Sequence, residues 1–300
     1  MLTCSIANLG DDFKLVHANI LQSFRALDTS AVYTDDPWTS SLGSGRTCVM
    51  SSGSLVEKAA VNISIIESDA LPHSALADTV DSAYTHFQAT GVSVIIHPQH
   101  PFIPSAHMNV RLFRLFDEND LVGWWIGGGY DLTPYFVFEE DVRLWHIQAK
   151  QALDAYGSLR YPAYKAACDK YFYLPHRDEM RGVGGVFYDK VNDLTLQKAI
   201  ELSSAIGKAF QLSYAAIFTR RQGIRYNENH IAFMHHRRTR YAEFNLLYDR
   251  GTKFGLHSKG RIDSIFASMP PSLGWSYQLA DTLKPFEADL TPYLQPKVWV

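Results

Sequence analysis

Residues 107–116 read H-M-N-V-R-L-F-R-L-F. Successive strand side chains face opposite ways, so His107, Asn109 and Arg111 share one face and Met108, Val110 and Leu112 the other. The same rule puts Ser93, Ile95 and His97 on one face of 92–97, V-S-V-I-I-H. Two strands thus each present polar groups on one side, while their pairing stays open. Residues 61–66, 121–126 and 183–188 have the β-branched, apolar or aromatic character of strands. Residues 241–248, Y-A-E-F-N-L-L-Y, are read as one more.

Other segments carry the helical period. In 139–156, Val142, Trp145, Ala149, Ala152, Leu153 and Tyr156 form one stripe. Glu139, Glu140 and Asp141 occupy its first turn, where the helix dipole favours acids, and Gly157 follows its end. Asn192 or Asp193 is the expected cap of a long helix burying Leu202, Ile206, Ala209, Phe210 and Ile217. Residues 11–27 and 162–171 complete the helices. Strands and helices do not alternate regularly, which predicts an α+β fold, an antiparallel-rich sheet covered by helices. The Gly/Ser-rich stretch 40–54 is a loop or hairpin rather than a linker, and a single domain over 1–300 is expected.

Composition narrows the function classes. The formal net charge of -3 over 300 residues gives no bulk attraction to nucleic acid, so anion binding must come from local Arg and Lys. Three scattered cysteines, Cys4, Cys48 and Cys168, form no C-x-x-C and suggest a reducing compartment. The first residues lack a leader pattern, and no apolar run reaches membrane-spanning length. The expectation is a cytoplasmic protein with no nucleic-acid partner and no membrane span.

Short motifs are weak signals. Gly127-Gly128-Gly129 is followed by Y-D-L-T-P, not by the Lys-Ser/Thr of a phosphate loop. It is read either as a tight turn or as a turn facing a ligand. Asp131 just beyond it is either a cap or a carboxylate held over a pocket. His176-Arg177-Asp178 imitates a kinase catalytic loop, but the Asn that should follow is absent. None of the 12 histidines falls in H-E-x-x-H or H-x-H, so a metal site would need ligands from distant segments. Of the arginines at 220, 221, 225, 237, 238, 240, 250 and 261, most are expected on solvated faces and a few to fork onto carboxylates.

Longer strings are more specific. G-V-S-V-I-I-H-P (91–98), P-S-A-H-M-N-V-R (104–111), W-W-I-G-G-G-Y-D-L-T-P-Y (124–135) and Y-F-Y-L-P-H-R-D-E-M-R-G-V-G-G-V-F-Y-D (171–189) occur in order, followed by Y-A-E-F-N-L-L-Y-D-R-G-T-K-F-G-L (241–256) and S-M-P-P (268–271). The chain closely resembles the oxygen-dependent coproporphyrinogen III oxidases. That resemblance implies a flat antiparallel sheet of about seven strands with helices on both faces, and a homodimer. It implies oxidative decarboxylation of two propionates of coproporphyrinogen III to vinyls, using two O2 and giving protoporphyrinogen IX. No organic cofactor is implied.

Residue by residue, the resemblance assigns substrate contacts to Ser93, to Asn109, Val110 and Arg111, and to the loop of Lys259, Gly260 and Arg261. Asp131 matches the carboxylate under the macrocycle, and His107 the proposed general acid. His97, His107, His146 and His176 match positions given to a divalent metal, such as Mn, in some bacterial members. Three departures stand out: Lys259 replaces the usual Gly, Thr239 replaces a Gly before R-Y-x-E-F-N, and the early Gly-rich segment is eroded around 51–55. Two other readings are a tetrapyrrole carrier or sensor without catalysis, and a histidine-metal enzyme acting on another substrate.

Overall fold

The computed structural model describes residues 9–69, 84–257 and 260–300. Its centre is a seven-stranded antiparallel sheet. In spatial order the strands are β1 (Val32–Ser40), β2 (Gly43–Ser51), β3 (Val56–Ser68), β4 (His86–Pro98), β5 (Ser105–Asp117), β6 (Asp120–Thr133) and β9 (Gly184–Val191). The small hairpin of β7 (Tyr173–Leu174) and β8 (Glu179–Met180) lies between β6 and β9 in the chain. The stretch 40–54, read as a loop or hairpin, holds the β1–β2 turn, the strand β2 and the turn into β3.

One face of the sheet is apolar because every second residue of the central strands is. Val92, Val94, Ile96, Met108, Val110 and Leu112 join one large buried cluster with side chains of α1 (Leu9–Leu27), α2 (Glu139–Asp154) and α4 (Leu196–Arg221). The predicted stripe of α2 is buried at Val142, Trp145, Ala149 and Leu153. The cap of α4 is Thr195, whose side chain accepts from the Lys198 N–H, rather than Asn192 or Asp193. The helix α3 (Arg160–Tyr171) straddles the β9 edge: Tyr161 and Tyr164 pack into the large cluster, and Cys168 joins a second one with Phe172 and Phe244.

The other face carries the polar alternates. It is roofed by α5 (Glu228–Leu247), α6 (Arg250–His257) and α7 (Ile262–Phe266), with Tyr241 and Ala267 packed on Ala60 and Ile95. Residues 241–248 are therefore not a strand: 241–247 form the last two turns of α5. Tyr, Phe and Leu favour strands by propensity, but here Tyr241, Phe244 and Tyr248 recur at helical spacing. The helix is buried all round from Arg237 to Asn245, so no polar face marks its period. Of the eight arginines named from the sequence, of which a few were expected to hold carboxylates, four are interior and do so. Arg237 and Arg240 pair with Glu179, Arg238 with Glu57, and Arg221 with Asp141. The chain ends through α8 (Lys284–Leu290) and a 3-10 turn. Among the described residues no helix is long and apolar enough to cross a membrane.

Candidate active site

Strand register builds the floor of the roofed face. One row across neighbouring strands runs Thr47, Asn62, Ser93, Asn109, Gly129. The next, on one side, runs Ala60, Ile95, His107, Asp131, and on the other Ser64, Gly91, Arg111, Gly127. Gly127 and Gly129 are inside β6, not in a turn. Being two apart, they face the same way as Asp131 and leave the floor without side chains there. A Cβ on Gly127 would sit 2.9 Å from both Arg111 Nε and Asp189 Oδ1. Glycine at 127 is thus what lets the Arg111 side chain cross β6. Gly129 has φ of 138°, a conformation open to glycine, and a Cβ there would strike the Val186 carbonyl.

At one end of this floor is a buried ion pair. Arg181 Nε donates to Asp131 Oδ2 at 2.8 Å, and Nη2 donates to Oδ1 at 2.7 Å; both side chains are 1% exposed. The Arg181 guanidinium lies against three rings, 4.1 Å from the centre of Phe172, 4.5 Å from Tyr241 and 4.8 Å from Phe244. Such a bidentate, stacked arginine has a fixed orientation. Burial by itself would raise the Asp131 carboxyl, but the Arg181 charge and the hydrogen bonds from His107 and Arg181 outweigh it and hold it below the ordinary range. Asp131 is an anion locked in place.

His107 completes the group. Its Nδ1 is 3.0 Å from Asp131 Oδ1, and since a carboxylate only accepts, Nδ1 carries the hydrogen. In the neutral ring Nε2 then keeps a lone pair. His107 is 24% exposed, so of these three side chains it alone reaches the opening. Phe172 meets its ring edge-on at 6.1 Å, and the Asp249 carboxylate, held by Tyr171 and Thr252, adds a second negative charge nearby.

The remaining sequence candidates fall into three groups. Ser93, Asn109 and Arg111 are brought together as neighbours on the floor. Arg111 Nη2 donates to Asp189 Oδ1 at 2.8 Å, and Arg250 meets the other oxygen of Asp189 at 3.2 Å. Val110 does not belong with them: its side chain is wholly buried in the large cluster on the opposite face and cannot touch a ligand here. Gly260 and Arg261 lie near the other end of the floor, where Arg261 caps α7 and pairs with Asp36 on β1. With strands spaced about 4.8 Å apart, β1 is some 19 Å from β5, so Arg111 and Arg261 do not form one clamp here. Lys259 and Cys4 lie outside the described residues. Thr239 is buried within α5, its hydroxyl donating to His236 O.

The four histidines do not fit a metal centre. A neutral imidazole offers one lone pair. In His97, Nε2 donates to Ser268 O, so Nδ1 accepts from the Ser105 hydroxyl. In His146, Nε2 donates to Val183 O and Nδ1 accepts from Tyr161. In His176, Nε2 donates to Glu243 and Nδ1 accepts from Tyr248. Three of the four lone pairs are therefore taken, each by a different hydroxyl. Among the described residues no group of three or more His, Cys, Asp or Glu could hold a metal ion. Burial drives His97 well down and His146 to about 3, so both are neutral structural residues near pH 7.

Several buried polar atoms on the floor have no partner: Asn62 Oδ1, Asn109 Oδ1 and Arg111 Nε, with Arg261 Nη1 above β1. Unpaired buried groups are costly; others lie elsewhere in the fold, as at Arg114, Glu287 and Trp299, but these four line one surface, where a polar ligand would meet them. Two open grooves of about 520 and 390 Å³ lie on the opposite face along α1, and neither is lined by Asp131 or its partners. The family model of coproporphyrinogen III oxidase matches residues 9–299, nearly the whole chain. The chain belongs to the coproporphyrinogen III oxidase family. Membership places it among the oxidoreductases of porphyrin biosynthesis, with coproporphyrinogen III as the family's substrate. The seven-stranded α+β sheet agrees with the fold expected of a coproporphyrinogen III oxidase. In this setting Arg181 and Asp189 are candidate site residues that motif reading passed over, and Arg250 is one of the eight arginines it named without singling out. Arg181 sits inside a quoted string, but only the folded register brings it to Asp131.

Proposed function

We propose that this protein carries out the oxygen-dependent conversion of coproporphyrinogen III to protoporphyrinogen IX. Each of two propionates loses CO2 and a hydride equivalent to O2: R–CH2–CH2–COO⁻ + O2 + H⁺ gives R–CH=CH2 + CO2 + H2O2. The observation that carries the reading is the Asp131–Arg181–His107 group at the end of a small-residue floor with unpaired polar atoms. O2 as oxidant agrees with the cysteine content. An iron–sulfur centre needs several closely spaced thiolates, whereas Cys48 and Cys168 are buried, free and far apart in sequence.

In this mechanism Arg111 receives a propionate by exchanging it for Asp189, which keeps Arg250 as its other partner. Asp131, pinned and charge-compensated by Arg181, holds the orientation and tautomer of His107. His107 Nε2 then moves the proton between a pyrrole N–H and the developing peroxide. The peroxide formed on the pyrrole removes the β-hydrogen, and CO2 leaves. Positioning, fixed charge and exclusion of water are the protein's contribution. The second copy of a homodimer is part of the proposal, as is a cytoplasmic location.

The experiment is a stoichiometry measurement. Purified protein supplied with coproporphyrinogen III in air should release two CO2 and two H2O2 for each divinyl product. Ring binding with no CO2 would make the chain a tetrapyrrole carrier instead.

A further inference from the structure

Asn62 is in the middle of β3, directly across from Ser93, which is itself across from Asn109. Its Nδ2 donates to Ser264 O of α7 at 3.3 Å. A carbonyl can only accept, so this bond fixes which way the amide points. The other amide atom, Oδ1, is out of water and has no partner; the same holds for Asn109 Oδ1. The bond to Ser264 O accounts for the Nδ2 end of the amide, but an unpaired buried acceptor lowers stability, so the fold by itself gives no reason for Oδ1. What both atoms lack is a donor.

On the tetrapyrrole reading above, on which this inference rests, the ligand is a porphyrinogen: it brings four pyrrole N–H donors, and its saturated methylene bridges let each pyrrole tilt its N–H toward a surface. Its carboxylates, by contrast, are acceptors and suit Arg111. We propose that Asn62 is a substrate-contacting, specificity-determining residue whose Oδ1 accepts a pyrrole N–H of the reduced macrocycle. β3 and β5 are two strand spacings apart, about 10 Å. A ring lying over Ser93 covers both amides. Asn62 thus recognises the reduced state of the ring: in an oxidised porphyrin the remaining N–H groups lie in the ring plane, turned toward the central nitrogens and away from an amide below.

The test compares two ligands on the intact chain, without O2, by quenching of tryptophan fluorescence. In Asn62→Leu, binding of coproporphyrinogen III weakens about tenfold, the loss of one neutral hydrogen bond. Binding of oxidised coproporphyrin III stays at the wild-type level, and the melting temperature changes little, because removal of the unpaired acceptor offsets the lost bond to Ser264 O. Wild-type binding of the reduced ring by Asn62→Leu overturns the proposal. So does an equal loss for both rings, or a fall in melting temperature with both affinities reduced. Asn62→Ser, smaller and still an acceptor, carries the same comparison should the leucine variant not fold, with a smaller loss confined to the reduced ring. A wild-type chain that does not bind coproporphyrinogen III defeats the functional reading itself, whereas binding that is indifferent to Asn62 defeats only this inference.

Discussion

Asp131 and Arg181 are almost free of solvent, and each is the main answer to the other's charge. Removing one alone leaves a buried, uncompensated ion. Arg181→Met is expected to lower stability by about 3–5 kcal/mol, read as a shift in the denaturant midpoint. Asp131→Leu combined with Arg181→Met replaces the pair by apolar groups against Phe172, Tyr241 and Phe244. That double variant should recover much of the lost stability and remain at least about a hundredfold less active, because His107 loses the carboxylate that fixes its orientation and tautomer. A double variant that folds and turns over normally would show that the pair is structural only. Asp131 was visible in the sequence because it stands two residues beyond Gly129. Arg181 was not, since its partner is 50 residues away and the pairing exists only after β6 and the segment before β9 are brought side by side.

At the scale of elements, the strands were legible wherever one face is buried and the other half-open, as in β4 and β5. The alternation that made them visible also placed His107, Asn109 and Arg111 on one face, and the register then joined Ser93 to Asn109. Helix α5 was misread because its contiguous burial erases the polar stripe that a helical period needs. What holds α5 in place is a charge lattice that no motif announces. Glu243 accepts from Arg177, His176 and Trp275, tying α5 to the segment around β7 and β8 and to the chain beyond α7. Burial opposes the charge on Glu243, but the hydrogen bonds from Arg177, Trp275 and His176 push its carboxyl down to about 2. A group lowered on folding stabilises fully above its unfolded value and loses that contribution as pH falls toward the folded one. The gap in melting temperature between wild type and Glu243→Gln should therefore be full at pH 6 and shrink between about pH 4.5 and 2. It corresponds to about 3 kcal/mol at the upper end. A gap that does not change with pH would mean that Glu243 acts by shape rather than charge.

For the whole molecule, the division of the sheet into two faces explains the division of labour. The α1, α2 and α4 side is a continuous apolar core, which fixes the sheet as a rigid base. The α5, α6 and α7 side spends its polar residues on ion pairs around a floor that keeps some atoms unpaired. The fold class and most of this floor could be read from alternation and from the long strings. The expected metal quartet could not be corrected from sequence, because whether a histidine lone pair is free depends on hydroxyls such as Ser105, Tyr161 and Tyr248 that reach it only in the folded chain. In the proposed mechanism O2 oxidises the substrate over Asp131, His107 and Arg181 without a metal. The most direct measurement takes protein stripped of metals by chelation, adds coproporphyrinogen III without O2, then admits O2 and follows products by chromatography. Protoporphyrinogen IX appearing only after O2 is admitted, at the same rate with and without added divalent metal, is the predicted result. Product formed without O2, or only after metal is restored, would contradict the account.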